Sequence, residues 1–379
     1  MKIAYTTTFD ASDVHNWSGT PFHMSQAFAD AGVTVDYVGS LARKLPPLFK
    51  LKQTWKKYLN GMRESPRFNI TVARHYSEQV AKKLRLSNVD AIVSPLVNPI
   101  CYLDCKQPIV LWTDAVYASL VGFYPAFNYH SAETILHGNT ITAECLKRVR
   151  LAIFSSDWAA RSAIELYGIS RDKVKVVPYG ANILTHPSHD EITGIIKKRD
   201  SHKIKLLFLA KSWERKGGDI TIAVANALHA AGHDVELTIV GYTPRLASIP
   251  DHIKCLGYIS KGSFEGKNKI SQLLSESHFL FLPSRADACP MVFAEANAFG
   301  LPCITSHVGG IATAVNDNVN GKTFGLDAPV ASYCDYIVNL MQDRKRYNDL
   351  ALSSHHEYES RLNWKVATHQ VKDMIAELL

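Results

Sequence analysis

Along the chain, short apolar runs of strand character alternate with longer stretches whose hydrophobic residues recur at three- and four-residue intervals. The runs at 2–8, 33–38, 90–94, 109–113, 151–155 and 174–178 form one series of expected strands, and those at 205–209, 235–240, 279–282 and 303–305 a second. Between them, 20–31, 133–149, 159–167, 219–231, 263–275 and 290–299 carry the helical period. Parallel strands need crossover connections, usually helices, so the alternation predicts α/β domains with parallel sheets covered on both faces. It breaks once, across 184–203, where Pro187-Ser188-His189-Asp190-Glu191 and Lys197-Lys198-Arg199-Asp200 are mostly polar, which predicts a linker. The expected organisation is a domain at 1–183, the linker, a domain at 204–362 and a closing helix at 363–379 free to pack back on the first domain. Two doubly wound domains facing each other leave a cleft at the carboxyl ends of their strands, where such folds bind ligands.

Composition narrows this little. The 379 residues suit two domains, and 46% hydrophobic with 20% charged residues excludes intrinsic disorder. Cys101, Cys105, Cys145, Cys255, Cys289, Cys303 and Cys334 are odd in number, form no CxxC pair and often sit in apolar segments, which fits free thiols in a reducing compartment. The N-terminus lacks the apolar core of a signal peptide, and no run approaches the length that spans a bilayer. A cytoplasmic location is therefore expected.

Two stretches carry candidate chemistry. In Pro283-Ser284-Arg285-Ala286-Asp287-Ala288-Cys289-Pro290-Met291-Val292-Phe293-Ala294-Glu295, a strand delivers the chain to a loop and Pro290 suits the first turn of a helix, whose free amides at Met291 and Val292 would bind a phosphate. Asp287 and Glu295 could then reach one ligand from two sides, sugar hydroxyls being their natural partners. Equally, Asp287 could cap the helix and Glu295 be a solvated helix residue. In Lys211-Ser212-Trp213-Glu214-Arg215-Lys216-Gly217-Gly218, three cations crowd a turn that opens a helix, a pattern suited to a diphosphate held without metal, or to a plain solvated helix start.

Together these stretches resemble the retaining glycosyltransferases of family four, which have the GT-B fold. Lys211 and Lys216 stand where that family carries an Arg and a Lys, and Asp287 and Glu295, seven residues between them, resemble its Glu-seven-Glu signature. Ile239-Val240-Gly241, Leu256-Gly257-Tyr258, Gly309-Gly310 and Asn320-Gly321 follow the family's order. The departures are Asp287 for the first Glu, Lys211 for Arg, and Thr113 where many members have a His before the Asp, here Asp114. The resemblance implies sugar transfer from a nucleoside-diphosphate sugar to a hydroxyl of a glycan or lipid-linked acceptor, with retention at the anomeric carbon. Lys211, Lys216 and the helix near Pro290 would hold the diphosphate, Glu295 the ribose, Asp287 the donor sugar, and the main chain at Gly257 and Tyr258 the base. Gly19, after the first strand, and Asp114, after a later one, would serve the acceptor side. No Asp-x-Asp motif lies near these residues, so neither a metal nor another cofactor is expected. The alternatives are an epimerase or hydrolase of the same fold and a noncatalytic nucleotide-sugar-binding protein.

Residues 43–67 hold eight Lys and Arg with Glu64 as the sole acid, interleaved with Leu45, Leu48, Phe49, Leu51, Trp55, Tyr58 and Leu59. Such a segment suits an anionic membrane surface, which would place the protein peripherally at the inner face of a bacterial envelope, in cell-surface polysaccharide assembly. It also fits a helix whose apolar face packs on the first domain. No nucleic-acid-binding module surrounds it.

Overall fold

The computed structural model describes every residue of the 379 except Leu184, Ser201, Leu246 and Ala247. The chain divides into two compact units, Met1–Pro178 with Ala367–Leu379, and Tyr179–Val366.

The first unit is a six-stranded parallel sheet built from β1 (Lys2–Thr6), β2 (Thr34–Val38), β3 (Ala91–Ser94), β4 (Ile109–Thr113), β5 (Leu151–Phe154) and β6 (Val174–Val176), in the order β2-β1-β3-β4-β5-β6. β3, β4 and β5 are buried at every residue, as expected of central strands covered on both faces, while the edge strand β2 is largely half-exposed. Register follows the apolar pattern: Ile3 lies opposite Val35 on one side and Ala91 on the other. The covering helix Asp157–Tyr167 begins where the Ser156 side chain accepts the Ala159 amide and ends at Gly168 in the left-handed conformation. The closing helix, Trp364–Ala376, ends within this unit, and Lys372 Nζ donates to the Ala31 carbonyl at 2.7 Å.

The second unit repeats the plan with β7 (Ile204–Leu209), β8 (Val235–Val240), β9 (Ile253–Cys255), β10 (Phe279–Leu282), β11 (Cys303–Ser306) and β12 (Gly321–Phe324), ordered β12-β11-β10-β7-β8-β9. Phe279, Leu280, Phe281 and Leu282 are wholly buried. Burying one such side chain contributes roughly 1.5–3 kcal/mol, so truncating Phe281 to Ala, which also leaves a cavity, would cost about 3–5 kcal/mol. β9 and β12, short edge strands of mixed polarity, are absent from the pattern-based expectation.

The expected linker is instead part of this unit. Within 184–203, of which Leu184 and Ser201 lie outside the described residues, the chain forms the helix His189–Lys198, capped by Ser188 and Glu191 in a reciprocal capping box. Ile192 and Ile196 bury in the second unit's core. Arg199 is buried too, and its guanidinium donates to the carbonyls of Ser275, Phe299 and Gly300 and to the Tyr347 hydroxyl. A charge-rich composition concealed an amphipathic helix whose apolar stripe consists of Ile192, Ile195 and Ile196.

Candidate functional site

In the second unit, β7 lies between β8 and β10, so the chain leaves the sheet in opposite directions on its two sides. Doubly wound folds bind ligands at this switch point, just beyond the carboxyl ends of the strands. Lys211 and Lys216 lie in the loop after β7, Asp287 in the loop after β10, and Gly257 and Tyr258 just past β9. Sequence-distant candidates from this unit are thus brought to one end of one sheet.

Lys216 and Asp287 form a direct ion pair, with both side chains more than nine-tenths buried. Arg215 approaches the same carboxylate at 3.7 Å, but its guanidinium also donates to the Ala286 carbonyl at 2.8 Å. Arg285 answers from the other loop, holding both carboxylate oxygens of Asp219 at 2.8 and 2.7 Å and donating to the Glu214 carbonyl at 2.6 Å. Its hydrogen bonds hold Asp219 below the usual carboxylate range and raise Arg285 in turn. The two loops are therefore laced by arginines, while Lys216 carries the charge nearest Asp287. Gly217 makes this approach possible: at φ 70° it faces the Pro283 carbonyl so closely that a Cβ would lie 2.1 Å from that oxygen.

Glu295 is only 2% exposed and pairs with Lys261, so it is no solvated helix residue. Asp287 does not cap the helix either. The helix runs Met291–Asn297 with Pro290 at its cap position and no side-chain cap bond. The amides of Met291 and Phe293 donate to the carbonyls of Cys289 and Pro290, both at 3.1 Å, which corrects the expectation that the first turn presents a full set of free amides. Val292 is half-buried beside them. Lys211 Nζ sits 4.5 Å from the centre of the Tyr258 ring, a cation–π contact in which the ring remains mostly exposed.

Gly19 and Asp114 belong to the first unit. Gly19, at φ 83°, closes a turn in which Trp17 and Ser18 are also left-handed, at φ 44° and 56°, and the helix Thr20–Asp30 starts immediately after. Non-glycine residues in that region cost on the order of 1 kcal/mol each, and such strain gathers at functional sites. Asp114 follows β4, half-buried, and its carboxylate acts on the Arg67 guanidinium, whose pKa desolvation lowers and Asp114 pulls back up.

Sequence reasoning missed Lys261, Arg285, Trp17 and Trp213, which stacks on Tyr242 at 5.1 Å. Lys261 and Arg285 gave no signal, because a lysine 34 residues from its partner is one of many cations until the fold joins them. The Trp-Ser-Gly-Thr-Pro string before the first helix was a readable turn signal.

Residues 203–343 match the family model described as Glycosyl transferases group 1. The amylovoran biosynthesis glycosyltransferase AmsK of Erwinia amylovora is 24% identical over 200 residues, covering 48% of this chain and 47% of that protein. The D-inositol 3-phosphate glycosyltransferase of Nocardia farcinica is 25% identical over 204 residues, covering 51% and 45%. The chain thus spans about half the length of the curated relatives it matches. Among solved structures, sucrose-phosphate synthase from Thermosynechococcus elongatus aligns over 100% of this chain and 99% of its own, with TM-score 0.71 at 15% identity. HepE of Anabaena, solved with UDP and glucose, aligns over 99% of each chain with TM-score 0.64 at 14% identity. Residues 203–343 therefore resemble the glycosyl transferases group 1 family, in a chain whose two Rossmann-like units have the GT-B fold.

Proposed function

We propose that the protein transfers a sugar from a nucleoside-diphosphate sugar to a hydroxyl of a glycan or lipid-linked acceptor, with retention and without a metal ion, in cell-surface polysaccharide assembly. The observation that carries this reading is the buried Lys216–Asp287 pair at the switch point, inside the segment that matches the family. A donor offers each partner a replacement. Its diphosphate accepts from Lys216, and its sugar hydroxyls donate to Asp287, so both buried charges stay satisfied as the ion pair opens. Glu295 exchanges Lys261 for the ribose hydroxyls in the same way.

In the transfer step the bond from the anomeric carbon to the diphosphate breaks, the acceptor oxygen bonds to that carbon on the same face, and the acceptor's proton passes to the departing phosphate oxygen. Negative charge grows on the diphosphate as this happens. Lys216 and Lys211, already fixed beside it, stabilise the transition state more than the ground state. Gly19 and Asp114 serve the acceptor. Because ammonium groups supply the positive charge, chelation should leave turnover intact.

Incubation of the protein with radiolabelled UDP-glucose and other nucleotide sugars, with an extracted lipid-linked glycan fraction as acceptor and with or without EDTA, tests this. Label in the acceptor, α-linked from an α-linked donor and insensitive to EDTA, is expected. Donor binding with no transfer to any acceptor, or free sugar as the only product, would replace the reading with a binding protein or a hydrolase.

A further inference from the structure

The helix Phe49–Asn60 is mounted inside out. Phe49, Lys52, Gln53 and Lys56, spaced i, i+3, i+4 and i+7, face the first unit. Lys52 pairs with Glu133, Lys56 pairs with Glu64 and reaches Glu133 at 3.2 Å, and Gln53 Nε2 donates to the Glu64 carbonyl at 2.7 Å. Glu64 is buried and also accepts from Ser131 and Thr134, each at 2.9 Å. Burial alone would raise its pKa, but Lys56 and these hydroxyls bring it below the usual range. The polar face is thus tied inward by carboxylates.

The apolar face consequently points to solvent. Leu51 is 67% exposed, Trp55 65% and Tyr58 86%, with Leu48, Leu59 and Met62 continuing the stripe. The cations Arg43, Lys44, Lys50, Lys57 and Arg63 are exposed around it. No acid occurs between Asp36 and Glu64. The expectation that this face packs on the first domain is therefore overturned, because Glu64 and Glu133, which pair with Lys52 and Lys56, lie on the domain side.

We propose that this helix lies in the surface of an anionic lipid bilayer, with Leu51, Trp55, Tyr58 and Leu59 among the acyl chains and the flanking lysines and arginines at the headgroups. Charge decides the occupant. An apolar stripe rimmed by cations and free of acids complements a surface that is apolar beneath and negative above, and Trp and Tyr suit the boundary between the two. Among the described residues no helix is long and apolar enough to cross a membrane, so attachment is to one leaflet. The proposal is independent of the transfer reaction, since its test reads attachment and not turnover.

The test is flotation of the full chain with phosphatidylglycerol–phosphatidylcholine vesicles and with pure phosphatidylcholine vesicles, at low and high salt. Wild type should float with the anionic vesicles, less at high salt. Leu51→Glu with Trp55→Glu should reduce partitioning by roughly tenfold or more, and Lys50→Glu with Lys57→Glu should abolish the preference for anionic lipid. Both double variants alter solvent-facing side chains, so their thermal melts should match wild type. Absence of flotation at low salt would overturn the proposal, as would flotation unchanged by both variants. So would light scattering that finds a dimer which Trp55→Glu dissociates, since the stripe would then be an interface between copies.

Discussion

Two lysine–carboxylate pairs, one in each unit, show how position decides what a buried charge is for. Lys216–Asp287 sits in loops beyond the carboxyl ends of β7 and β10, where the proposed donor would separate the partners and satisfy both. In Lys56–Glu64 the carboxylate is buried beneath a helix, with Ser131 and Thr134 donating to it from within the domain and Gln53 donating to the Glu64 main-chain carbonyl, so Glu64 is held in place from inside. The same chemistry is exchangeable in one place and fixed in the other. On the proposed reading the first pair opens to a donor; the second sets which face of a helix meets solvent.

The sharpest way to break that contrast is to remove each lysine. Lys216→Ala should lower the rate of sugar transfer by about 10²–10³-fold, as expected for a group acting on charge that develops in the transition state, and should also lower the thermal melt, because Asp287 is left buried with Arg215, 3.7 Å away, to offset its charge. Near-normal kcat would place Lys216 among the structural residues. Lys56→Ala should leave the rate of transfer unchanged, while Glu64, buried without its counter-ion, costs about 3 kcal/mol in urea unfolding. A melt equal to wild type would show that the hydroxyls alone satisfy Glu64.

Glu295→Ala should weaken donor binding by about 1–3 kcal/mol through the lost ribose hydrogen bonds, read by titration calorimetry. Lys261→Ala separates the roles further: if Lys261 only occupies Glu295 until the donor arrives, its removal should leave donor affinity unchanged or improved.

A buried group kept neutral provides the smallest effect. His278 accepts the Lys205 amide at Nδ1, 3.0 Å away, and donates from Nε2 to the Asp200 carbonyl at 2.7 Å, so a proton on Nδ1 would confront an N–H. Burial, aided by the nearby Arg199, pushes its pKa down to about 3. Between that value and the ordinary 6.5 the unfolded chain binds the proton and the folded one does not, so stability falls as pH drops below about 6.5. The share due to His278 is up to about 2 kcal/mol by pH 5. Urea melts at pH 7 and pH 5 should show that loss in wild type and a shallower one in His278→Asn; equal slopes would remove His278 as the cause.

Much of the fold was legible because its signal is local. Central strands such as Phe279–Leu282 read as uninterrupted apolar runs, and the helices between them read as periodic ones. The misses share a cause. β9 and β12 have three and four residues at the sheet's edges, too short and too polar to stand out from a loop. In the helix His189–Lys198, polar composition outweighed the spacing of Ile192 and Ile196, although Ser188 and Glu191 spelled its cap. At the site, Lys216, Asp287 and Glu295 could be singled out from motif spacing. Lys261 and Arg285 could not, since their significance is a contact across the fold.

Residue order fixed what depends on near neighbours along the chain: the strand–helix alternation, the turns that carry Lys216 and Asp287, and an amphipathic stripe at 48–62. Which ammonium group meets which carboxylate, and whether that stripe turns inward or outward, was settled only when Glu64 and Glu133 came to lie under the lysine face. Periodicity places residues on one side of a helix, but only the packed domain supplies the partners that make one side the inside, because burial of a charge is tolerable where an opposite charge or a full set of hydrogen-bond partners is already waiting.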